Sequence, residues 1–170
     1  MSSVQLAAIV IAIVAAACDL RMRRIPNLLT FGAAATGVVY HLISGGFAGL
    51  GHSAAGWFVG ALVFVVPFAL RGLGGGDVKL LAALGAWIGP GDVLWLALYT
   101  GVAGGAMAVV VAVANGYLRR AFDNVWMLLC HWRVAGLRVL PELTLDGSSA
   151  PKLAYAVPIL AGMVAVAWLR

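Results

Sequence analysis

Gly74-Gly75-Gly76-Asp77-Val78-Lys79 interrupts two strongly apolar segments with three glycines, a carboxylate and a lysine. Glycine frees the backbone for tight turns and for close approach to another chain. An Asp directly after such a turn either caps the next helix or does chemistry. Capping alone is the plainer reading of Asp77. Two features set against it are the depth at which this stretch enters a membrane and a second aspartate, Asp19, placed in the same way after the first apolar run.

Hydrophobic residues make up 64% of the 170 positions and charged residues only 10%, where a soluble domain carries about a quarter. Such a composition predicts an all-α, polytopic membrane bundle, one domain over residues 1–170, with the bilayer as its surroundings. The net charge of +5 does not predict a nucleic-acid partner, because the basic residues sit at the ends of apolar runs, where membrane topology puts them. Cys18 and Cys130 are far apart and form no CxxC, so neither a zinc site nor a disulfide framework is expected. Gly56-x-x-x-Gly60 and Gly101-x-x-x-Gly105 have the small-residue spacing of close helix packing in lipid.

Six spans are expected, at about 4–18, 28–43, 54–70, 78–88, 93–114 and 153–169. Ala15-Ala16-Ala17-Cys18 resembles a lipoprotein cleavage site, but no Lys or Arg precedes the run as a signal peptide requires, so it is read as the first span. A polar loop, Asp19-Leu-Arg-Met-Arg-Arg-Ile-Pro-Asn27, follows it, with the next helix beginning near Asn27 after Pro26. Residues 44–53 read as a Gly-rich turn. Residues 119–140 place Phe122, Val125, Trp126, Leu129, Trp132 and Leu140 among arginines, the pattern of an amphipathic helix lying in the cytoplasmic interface and anchoring the bundle.

With six spans, one face holds Arg21, Arg23, Arg24, Arg71, Lys79, Arg119, Arg120, Arg133, Arg138 and Lys152, and the other only Arg170. The rich face is therefore expected in the cytoplasm, with both termini outside. Asp19 and Asp77 then share the cytoplasmic side, while Asp92, His41 and His52 fall on the other. Asp77 to Ile88 makes about 18 Å of helix at roughly 1.5 Å per residue, against a hydrocarbon layer about 30 Å thick. Asp77 is thus expected below the cytoplasmic surface, where an ionisable group is a functional hypothesis by default.

Two carboxylates that share a water can cleave an amide. One, ionised, takes a proton from the water; the other, protonated, gives one to the carbonyl oxygen. Like charges a few ångströms apart do not both ionise readily, so the pair holds one proton. This chemistry needs no cofactor, and no cluster of His, Cys and carboxylates predicts a metal. His131 stands alone, and no Ser-His-Asp set is brought to one side.

Asp19-x-x-x-x-Arg24-Ile-Pro26-Asn27 after the first span, with Gly74-x-Gly76-Asp77-x-Lys79 opening the fourth, resembles the prepilin peptidases, the GxGD-type membrane aspartic proteases of type IV pilus and type II secretion systems. The resemblance implies that Asp19 and Asp77 are the catalytic pair, with Gly74, Gly76, Lys79, Arg24, Pro26 and Asn27 shaping the site. It implies prepilin or pseudopilin substrates, cut at the cytoplasmic face of the bacterial inner membrane between a short basic leader and the hydrophobic segment, after a Gly. Larger members carry a cytoplasmic insert with paired CxxC motifs and also N-methylate the new terminus. This chain has no such insert between its first two spans and looks like the short Flp/Tad-type form. It departs from the family at Ala154-Tyr155, where Pro-Tyr is usual. Two readings from other classes are a small transporter or proton relay with Asp77 as its titrating group, and a non-catalytic scaffold in which both aspartates are caps.

Overall fold

The computed structural model describes residues 1–136 and 153–170. Among them are five helices and no strand: α1 (Ser3–Met22), α2 (Asn27–Ala69), α3 (Gly75–Ala114), α4 (Leu118–Ala135) and α5 (Ala156–Leu169). The all-α expectation holds, and α1, α2 and α3 are long and apolar enough to cross a membrane. Arg138, Lys152 and residues 137–140 of the expected interfacial helix lie outside the described residues.

α1 starts on a reciprocal cap. Ser2 Oγ accepts the Gln5 N–H at 3.2 Å, and Gln5 Oε1 accepts the Ser2 N–H at 2.8 Å, which satisfies two donors that a helix start leaves without partners. It ends at Arg23, in the left-handed region (φ 52), whose N–H donates to the Asp19 carbonyl at 2.9 Å. The polar loop expected from Asp19 therefore begins a turn later, and Asp19 rides on the helix. Two flanking arginines made this turn look like loop; long basic side chains at a helix C-terminus in fact suit its negative end.

α2 begins at Asn27 behind Pro26, as expected. The turn expected over 44–53 shrinks to one residue. Gly46 alone is non-helical (φ 58, ψ −145), and helix resumes at once. Gly49 lies against the His41 carbonyl, eight residues back, so the chain reverses here and α2 is two arms. Gly89 does the same in α3 (φ 83, ψ 175); Gly85 then faces the Val93 side chain across the bend. Only glycine adopts both angles without strain.

The first arm of α3 is the centre of the molecule. Leu80, Leu81, Ala82, Ala83, Leu84 and Ala86 are all buried, on every side of the helix, the mark of a helix surrounded by others. Ala8, Ala12, Ala15 and Ala16 of α1 and Ile159, Met163 and Val166 of α5 pack into the same core. Both arms of α2 cover the remaining flank: Gly37 sits against Trp87, Gly56 against Gly85, and Gly60 against Leu81 and Ala82. Of the two small-residue pairs, Gly56 and Gly60 do bring backbones together. Gly101 and Gly105 face open space, and Gly104 instead receives the Tyr155 ring.

The break in α3 is chemically repaired by α2. Pro90 has no N–H, which leaves the Ala86 carbonyl without its helical donor. Ser53 Oγ, fully buried, donates to that carbonyl at 2.7 Å. On the same broken turn His41 Nε2 donates to the Trp87 carbonyl at 2.8 Å, and the Trp87 indole N–H donates to the Ala33 carbonyl at 2.8 Å. Asp92 and Arg170 pair at 3.3 Å just beyond the break. α4 is amphipathic as expected, with Phe122, Val125, Trp126 and Leu129 exposed.

Gly56→Ala would drive a methyl group into the Gly85 carbonyl, whereas the same change at Gly101 meets nothing. Gly56→Ala should cost about 1–3 kcal/mol in a detergent unfolding titration, with Gly101→Ala unchanged or more stable. Equal effects at the two positions would contradict this packing.

Candidate active site

Asp77 is the third residue of α3, behind Gly74 as N-cap. Its Oδ2 accepts the Gly74 N–H at 3.2 Å, and its own N–H donates to the Gly74 carbonyl at 3.1 Å. Asp77 therefore does cap its helix. The same carboxylate also lines a cavity of about 650 Å³, so capping and chemistry are not exclusive. The three glycines differ from expectation. None has a positive φ, and Gly74 is extended (φ −79, ψ 148). Their part is to keep side chains out of the cavity wall, not to bend the chain.

Asp19 reaches the cavity from the last turn of α1. Its Oδ2 accepts the Ala156 N–H at 3.3 Å, a backbone donor at the start of α5. The four leading N–H groups of a helix lack internal acceptors and favour an anion there, so α5 aims its positive end at this carboxylate. Asp19 and Asp77 are 9% and 8% exposed. Both are drawn out of bulk water, and both keep a backbone N–H.

Of the residues singled out in the sequence, Asp19, Arg24, Pro26, Asn27, Gly74, Gly76 and Asp77 all line this one cavity. Lys79 does not. It stands on the far side of Asn27, its Nζ donating to Asn27 Oδ1 at 2.9 Å and lying 5.5 Å from the Phe31 ring centre. That bond ties the start of α2 to the start of α3. Met22, Arg23, Ile25 and Gly75 also line it. They are neighbours of the motif residues, and that adjacency was the signal available for them. The Ala156 N–H had none, being a backbone group more than a hundred residues from its acceptor. Among the described residues no group of three or more His, Cys, Asp or Glu could hold a metal ion.

A model of the type IV leader peptidase family matches residues 6–109. The chain belongs to that family. A prepilin leader peptidase/N-methyltransferase of Aeromonas hydrophila is 40% identical over 78 residues, covering 42% of this chain and 27% of that protein. Another, of Neisseria gonorrhoeae, is 30% identical over 135 residues, covering 67% of this chain and 47% of that protein. The match thus spans less than half the length of either relative. No solved structure matches. The stretch shared with the type IV leader peptidase family contains both aspartates and ends before α5. The donor to Asp19 therefore comes from a part of the chain beyond the family match.

The Lys79–Asn27 bond is exposed to solvent, so its worth is at most about 1 kcal/mol. A double-mutant cycle of Lys79→Met and Asn27→Ala on unfolding free energy should show a coupling of that size. Strict additivity would show that the bond does not hold the two helix starts together.

Proposed function

We propose that the chain is a membrane aspartic endopeptidase that removes the short basic leader from type IV, Flp-like prepilins or pseudopilins. The observation that carries this reading is one cavity lined by two buried carboxylates, Asp19 and Asp77, each with one oxygen engaged by a backbone N–H. In each carboxylate the other oxygen is left for a shared water and the substrate carbonyl. One aspartate takes a proton from the water as its oxygen attacks the carbonyl carbon. The other gives its proton to the carbonyl oxygen. As the tetrahedral species collapses, the C–N bond breaks, one aspartate gives its proton to the leaving amine, and the other takes a proton from a hydroxyl of the gem-diol as the new carboxyl group forms, so the dyad again holds one shared proton. Fixed backbone donors hold both groups before substrate arrives, which reduces reorganisation during the reaction.

We further propose that the arms of α2 and α3 cross the bilayer separately and, with α1 and α5, make six spans. The arm of α3 before Gly89 is about 21 Å long at roughly 1.5 Å per residue, short of the ~30 Å hydrocarbon layer. A carboxylate at its root then lies within the inner leaflet, reached through the cavity. Arg21, Arg23, Arg24, Arg71 and Lys79 gather at the aspartate end, which supports a cytoplasmic site with both termini outside. A proton relay centred on Asp77 is less favoured, since the family is one of peptidases.

Coexpressed with a pilin precursor, Asp19→Asn and Asp77→Asn should each lower leader removal by about a thousandfold or more while the protein still inserts and folds. Full processing by either variant refutes the dyad. Orientation is tested separately, in a Cys18→Ser, Cys130→Ser background. Arg24→Cys should react with a membrane-impermeant maleimide only in inverted vesicles, and Asp92→Cys only in intact spheroplasts; the opposite pattern reverses the topology.

A further inference from the structure

The bond from the Ala156 N–H to Asp19 is long, at 3.3 Å, and a hydrogen bond fades quickly beyond that distance. The start of α5 therefore has little freedom to shift. The body of the helix is held by Ile159, Met163 and Val166 in the core, a turn or more further on. At the start itself, Ala154 and Ala156 are buried but offer only methyl groups. Tyr155 stands between them as the N-cap and makes no side-chain capping bond. It is the one large side chain at this point.

The Tyr155 ring has two seats. One is Gly104, buried on the second arm of α3. A methyl group there would come within 2.8 Å of the Tyr155 hydroxyl and 3.1 Å of two ring carbons, whereas Gly101 and Gly105 on the same arm face open space. The other seat is Phe64, on the second arm of α2, whose ring meets it edge-on with centres 6.2 Å apart. Gly104 lies fifteen residues past the break at Gly89, and Asp77 twelve before it. These are about 22 and 18 Å along the two arms at roughly 1.5 Å per residue. The ring thus stands near the level of the aspartates, close enough for the Asp77 charge to act on its hydroxyl.

Resting on the peptidase reading above, we infer that Tyr155 is a positioning residue for the dyad: its ring, wedged between Gly104 and Phe64, sets the start of α5 so that the Ala156 N–H meets Asp19. The competing role is that of a space filler. A filler leaves that N–H where it is when its seat is altered. A positioning residue moves it, and a misplacement of about 1 Å at a catalytic group can cost about a hundredfold in rate. The effect falls on kcat, since Asp19 acts in making and breaking bonds and not in holding the substrate.

Tyr155 and Ala156 form the one Tyr-Ala pair in the chain. Labelling tyrosine carbonyl carbons and alanine amide nitrogens with NMR-active isotopes therefore gives a single amide signal, that of Ala156. In the full chain in phospholipid nanodiscs, Asp19→Ala removes the acceptor and should move this signal. Gly104→Ala should move it the same way. On a synthetic precursor, a Lys-Arg leader ending in Gly and then an apolar segment, Gly104→Ala should lower kcat by about ten- to a hundredfold with KM little changed. Gly105→Ala, which meets nothing, should leave both readings as they are. Adding Tyr155→Phe to Gly104→Ala removes the hydroxyl nearest the new methyl group and should recover kcat by about threefold or more. Phe64→Ala, which removes the other seat and does not depend on Gly104→Ala folding, should also move the signal and lower kcat. An unmoved Ala156 signal in both seat variants overturns the positioning role, as does a moved signal with kcat unchanged, or no recovery in the double variant. Failure of the parent reading looks different: the unaltered protein leaves the precursor intact, or Asp77→Asn still cuts it, while the Ala156 signal still moves with Gly104→Ala.

Discussion

A carboxylate at the root of a buried, largely apolar helix must find polar company, and the architecture answers that demand at Asp77. A polar group buried without a hydrogen bond costs several kcal/mol, and Asp77 is followed almost at once by Leu80, Leu81 and Leu84 of the core. The Gly74 N–H and the cavity meet the need from α3's own start. Asp19 raises the same demand on α1, where Ala15 and Ala16 are buried just before it, and the start of α5 meets it. The bond to Asp19 joins the end of α1 to the start of α5, whereas Asp77 is held by the start of its own helix.

The far end of the bundle supports the near one. The first arm of α3 can be short because Gly89 and Pro90 end it, and that ending is tolerable only if the freed carbonyls find donors in a dry interior. Ser53 and His41 provide them. Both residues come from α2 on either side of its own reversal at Gly46, so the two breaks are interlocked. A repair at Ala86 and Trp87, about ten residues from Asp77, thus fixes how far the carboxylate sits from the far end of its helix arm.

The sequence was most legible where lipid imposes a rule. Apolar run length, the clustering of arginines at one end and the two aspartates beside basic or glycine-rich stretches are all read directly from composition and order. The break in α2 was harder. Gly45, Gly46, Gly49 and Gly51 are interchangeable as letters, and only packing selects Gly46. Ser53 and His41 looked idle because their acceptors exist only after Pro90 has broken a helix more than thirty residues on. Gly101 and Gly105 matched a spacing rule yet face nothing, since a helix with several glycines leaves the choice of face to its neighbours. Helix geometry already set Lys79 away from Asp77, since residues two apart on a helix point away from one another, and the structure places it behind Asn27; its place in the aspartate motif came from the resemblance alone.

On the peptidase reading proposed above, an arginine-rich end is a poor electrostatic match for a basic leader. Arg23 and Arg24 line the same cavity as Asp19 and Asp77. Charge alone is therefore a poor basis for recognising such a leader. Shape is the better one. Gly74, Gly75 and Gly76 leave a stretch of wall without side chains, and a methyl group on Gly74 would come within 3.2 Å of the Asp77 carboxylate. Backbone can approach the aspartates closely along that bare strip. On the same peptidase reading, a glycine before the cut would extend the same economy of space to the substrate: it would let two backbones meet at the carboxylates, where a side chain on either would hold the amide away from the water.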